Sequence, residues 1–218
     1  AYGAGAWDRY DFLFGFPDRP WVLLESFRLF DVVIWSDGGT TSRTLQQAAA
    51  RGGVLEQYIF APSGTDAGRL MVVSRSVTGA ESDLPPVFIG NVLRLSPTGL
   101  PAVTLGSFGE LQVLGDESWL PPMTCTSDFA KAIGLRPTEG CQAIYRFEEC
   151  CERGCFGIAR PNPDDPCDPV VVTRWPERSA EPLARVVSVG LQPEYFERAE
   201  AVAVFGALLT VEMGAVIP

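Results

Sequence analysis

The sequence predicts an α/β fold built on a mostly parallel sheet. Two short apolar runs, Asp31-Val-Val-Ile-Trp35 and Arg69-Leu-Met-Val-Val73, are rich in β-branched residues and end in turn residues. Runs of this kind are the mark of strands buried on both faces. Helix-length sequence separates them, and a second helix-friendly stretch follows, which is the βαβ signature. Two further runs near the C-terminus repeat the strand pattern. The 218 residues suit one domain, and 46% of them are hydrophobic, enough for a real core.

In chain order, residues 1–19 are rich in Gly, Tyr, Phe and Asp and read as an ordered, aromatic lead-in. Its Tyr2, Trp7, Tyr10, Phe12, Phe14 and Phe16 are expected to pack on the domain or on a neighbour. The first strand closes at Ser36-Asp37-Gly38-Gly39. Thr40 and Thr41 offer an N-cap for Leu45-Gln-Gln-Ala-Ala-Ala50. Gly52 and Gly53 interrupt that helix, and Val54 to Phe60 resume it. The second strand ends at Ser74-Arg75-Ser76. Pro85-Pro86 starts a helix carrying Val87, Phe88, Val92 and Leu95.

Residues 97–168 form an excursion. Its first part is rich in Gly and Pro, with short pieces such as Leu111-Gln-Val-Leu114. Ala143-Ile-Tyr-Arg-Phe147 alternates as a strand does. Residues 148–168 are a cysteine-rich loop insertion whose prolines oppose helix. Val170 to Trp175 and Arg185 to Val189 are strands. The final segment, Ala201 to Met213, is long enough for a helix stopped by Gly214. It is expected to cover the sheet through Val202, Phe205, Leu208 and Leu209. The four runs 32–35, 70–73, 171–173 and 186–189 are expected to be neighbours in one sheet. The third is the one that pairs antiparallel at an edge, if any does.

Composition narrows the chemistry. The chain has no histidine, so it cannot build a Ser-His-Asp triad, a Cys-His dyad or a His-ligated zinc site alone. A net charge of −10 argues against nucleic acid and anionic membranes as partners. No apolar run reaches the roughly 18 residues of a membrane helix, so no membrane insertion is expected. The opening at Ala1 reads as a processed end or an internal one. Partners are then other domains of a longer chain or copies of itself.

The six cysteines are Cys125, Cys141, Cys150, Cys151, Cys155 and Cys167. An even count in loop-like sequence reads as disulfides, made in a secreted, periplasmic or cell-surface setting. Local bridges within 150–167 and one from Cys125 to Cys141 are favoured among 15 pairings. Zinc and free thiols are the competing readings; Cys150-Cys151-x-x-x-Cys155 is not a zinc-type CxxC pair. Asn162 to Asp168 is oxygen-rich, and Asp164, Asp165 and Asp168 are candidate Ca2+ ligands. A solvated proline-rich loop is the plainer account.

Four segments taken together, Phe30 to Asp37, Gly68 to Ser74, Pro86 to Leu95 and Arg185 to Phe196 with the terminal helix, carry a family likeness. In that order they resemble the class I glutamine-amidotransferase-like domains of large secreted or surface bacterial proteins. The resemblance spans about Phe30 to Met213 and implies a flavodoxin-like three-layer sandwich. Active members of that superfamily place a nucleophilic Cys in a strand-to-helix elbow, backed by His and Glu. The elbow falls here at Ser74-Arg75-Ser76, with no cysteine, so the resemblance implies that glutamine hydrolysis is absent.

In open α/β sheets ligands sit beyond the carboxyl ends of the strands. That crevice is expected at Ser36, Asp37, Gly38, Ser74, Arg75, Ser76, Gly190 and Leu191, taking a small polar or anionic group. The plainer account is that these are turn and capping residues. A Ser–Lys dyad would need Lys131, the sole lysine, beside Ser74 or Ser76. The expected function is a non-catalytic binding or assembly domain. Its rivals are a structural subunit of an extracellular filament or surface layer and a hydrolase with a histidine-free site.

Overall fold

The computed structural model describes residues 20–37, 43–50, 52–60, 67–74, 77–78, 82, 84–98, 102–106, 112–115, 119–124, 129–147 and 170–216. The lead-in, the cysteine-rich insertion, Gly38, Arg75 and Ser76 lie outside them.

The chain order is α1 (Pro20–Phe27), β1 (Val32–Asp37), α2 (Arg43–Ala48), α3 (Val54–Ile59), β2 (Arg69–Ser74) and α4 (Pro86–Asn91). Then come β3 (Ala102–Gly106), β4 (Gln112–Gly115), β5 (Met123–Thr124), β6 (Phe129–Ile133) and β7 (Gln142–Phe147). Last are β8 (Val170–Trp175), β9 (Val186–Val189) and α5 (Arg198–Ala207), which runs into a π-helical turn, Leu208–Glu212. The interruption at Gly52 and Gly53 divides α2 from α3, as the glycines predict. Gly52 sits at φ +67°, where a side chain is strained. Helix α1 went unread, because its apolar residues run together and show no clear amphipathic spacing.

Seven strands form one sheet in the order β1-β2-β9-β8-β7-β4-β5, and β3 pairs with β6 alone. The four expected runs are indeed neighbours: β1, β2, β9 and β8 lie side by side. Only β1, β2 and β9 are parallel. The β9–β8, β8–β7, β7–β4 and β4–β5 pairings are antiparallel. The sheet is therefore parallel at one end and antiparallel over the rest, which corrects the expectation of a mostly parallel sheet. It also moves β8 from an edge to the interior. The cause is the short link from β8 to β9. A parallel pairing needs a long crossover, whereas the ten residues between Trp175 and Val186 reverse direction directly.

Each face of the sheet has its own core. Val33, Trp35, Leu70, Val72 and Val186 meet Leu24, Phe27, Leu45, Leu55, Ile59 and Phe88 of the first four helices. Met71, Val73, Val187 and Val189 on the other face meet Val204, Leu208, Leu209 and Met213 of the terminal segment. Strand β2 is buried from Leu70 to Ser74, with covered faces and a strand on either side. Behind it, the Tyr58 hydroxyl donates to the Phe30 carbonyl at 2.7 Å, and Gly68 N–H donates to the Tyr58 carbonyl at 3.0 Å. A methyl group on Gly68 would fall inside the Tyr58 ring, so only glycine admits this helix-to-strand contact.

The terminal segment buries Leu208 and Leu209 as expected, but not Val202. Ala201, Val204, Leu208 and Leu209 are buried, whereas Val202 is 56% exposed and Phe205 only partly covered. Glu197 sets the phase. Its carboxylate accepts from Ala199 N–H at 2.7 Å and Glu200 N–H at 3.1 Å, fixing the N-terminus. The π-helical turn then widens the last turn by one residue per turn. Met213 N–H donates to the Leu208 carbonyl at 3.1 Å, Glu212 and Met213 face inward, and Val211 faces out.

Candidate functional site

The carboxyl ends of β1, β2 and β9 stand together at one edge of the sheet. Asp37 pairs in register with Ser74, and Val73 with Val189, which places Gly190 just beyond. Of the residues read as a crevice, the structure thus gathers Asp37, Ser74, Gly190 and Leu191. Ser36 is exposed on the edge strand. Ser74 is only 1% exposed, and Leu191 is equally buried.

Gly190 has a packing role. Its N–H donates to the Val171 carbonyl at 2.7 Å, and its carbonyl accepts from Ile133 N–H at 2.8 Å. A Cβ there would lie 2.6 Å from the Ile133 carbonyl oxygen. The glycine lets β6 cross closely. Two buried polar residues beyond the same strand ends escaped the sequence reading. They are Thr78, after β2, and Gln192, after β9. In sequence they look like ordinary turn residues.

Among the described residues, a buried cluster of charge lies at the opposite end of the sheet. Glu212 is fully buried and is held between two guanidiniums. Arg174 of β8, 1% exposed, approaches its carboxylate at 3.1 Å, and Arg178 makes a second, closer ion pair. Arg174 also donates to the Glu181 carbonyl at 2.8 Å. The Arg178 backbone N–H donates to the Gln142 side chain at 3.1 Å, and its guanidinium stacks 5.2 Å from the Trp119 ring centre. This network ties β7, β8, the 176–183 loop and the π-helical turn together. It is a positioning device: both cations meet one carboxylate. Nothing in the sequence marks Glu212, because it sits in an apolar segment that places it by fold alone.

Cys141 carries a free thiol among the described residues, and Cys125, its expected partner, lies outside them. The thiol packs against the first core beside Thr173 and Arg94, and burial pushes its pKa up to about 11. The other five cysteines lie outside the described residues, as do Asp164, Asp165 and Asp168. Among the described residues, no group of three or more His, Cys, Asp or Glu could hold a metal ion. No helix among them is long and apolar enough to cross a membrane.

An open groove of about 500 Å3 runs along the outer side of α5. Pro193, Glu194 and Phe196 form one wall, and Ala201, Val202 and Phe205 the other. Val202 and Phe205, which the sequence reading assigned to the core, both line this groove, and Phe205 also packs against the second core. No protein-family model matches the chain, and no curated protein matches it.

Proposed function

We propose that this chain is a non-catalytic, flavodoxin-like domain of the class I glutamine-amidotransferase-like type. It serves binding or assembly in a secreted, periplasmic or cell-surface protein. The observation that carries this reading is the state of the strand end where a nucleophile would stand. Ser74 closes β2 and is 1% exposed, whereas a nucleophile must be presented to substrate. The chain has no histidine to act as its base. The helices on both faces of the sheet, with three adjacent parallel strands, support the fold assignment. The cysteine-rich composition of residues 148–168 supports the oxidising setting.

Turnover of a panel of activated esters and amides near neutral pH is the test. No turnover is expected. Activity that disappears in Ser74→Ala or Ser76→Ala would overturn the reading and favour a histidine-free hydrolase. Sedimentation of the purified chain separates the assembly role from binding to another protein. A concentration-dependent growth into long oligomers would favour the filament or surface-layer subunit.

A further inference from the structure

We draw no further inference here: the strongest candidate, the buried and unpartnered Thr78 hydroxyl and Gln192 amide beyond the carboxyl ends of β2 and β9, belongs to the crevice already described.

Discussion

At the residue scale the decisive side chain is Glu212. An ionised carboxylate with no exposure is tolerated only because Arg174 and Arg178 both meet it. Removing its charge leaves two guanidiniums facing a neutral amide. Glu212→Gln is therefore expected to cost about 3–5 kcal/mol of stability, measured by chemical denaturation. Arg178→Gln, at the more exposed partner, should cost less. Equal stability of Glu212→Gln and the native chain would show that the network is neutral. Ser74 teaches a related lesson. A serine ending a strand looks the same in sequence whether it is a nucleophile or a buried turn residue, and only burial tells them apart.

At the scale of elements, the terminal helix shows how phase is set. Its sequence is apolar nearly all round, so several stripes fit a helix equally well. The Glu197 cap and the π-helical turn select Ala201, Val204 and Leu208 for the core. Deleting methyl groups at Val204 leaves a cavity under the sheet, whereas Phe205 opens onto the groove. Val204→Ala is expected to cost about 2 kcal/mol and Phe205→Ala only about 1 kcal/mol. Denaturant midpoints of the two variants test the order; a larger loss at Phe205 would mean that it is packed and the groove closed. Strands were easier to read than this helix. The runs at β1, β2, β8 and β9 are each short, apolar and bounded by turn residues, and all four fall where periodicity puts them.

For the whole molecule, several buried acids share one pH response. Burial raises the Cys141 thiol to about 11 and the Tyr58 hydroxyl to about 12, and raises Tyr145 further. In each case the fold favours the neutral form. Above about pH 9 the unfolded chain releases these protons before the folded one does, so the folded state binds more protons and stability falls as pH rises. The contribution is full below about pH 9 and is lost as pH climbs through about 12. Denaturant midpoints at pH 7, 9.5 and 11 should fall in that order. Tyr58→Phe should start lower, having lost the bond to Phe30, and fall less steeply. A flat profile to pH 11 would show that these groups are solvated.

What the sequence determined by itself was local. The absence of histidine, the acidic balance, the strand runs and the break at Gly52-Gly53 are properties of neighbours along the chain, and composition or period reveals them. The tertiary structure decided everything that depends on distant partners. Strand direction is one such case: the link between β8 and β9 reverses the chain, and hydrogen bonding to β7 then extends an antiparallel half that no single strand encodes. The crevice residues are another. Gly190, read as part of the crevice lining, is packed against Ile133, far away in sequence. The buried charge of Glu212 and the open side of Val202 follow the same logic. Which face of a helix meets the core is settled by what the rest of the chain brings to it, and that information is spread over residues more than a hundred positions apart.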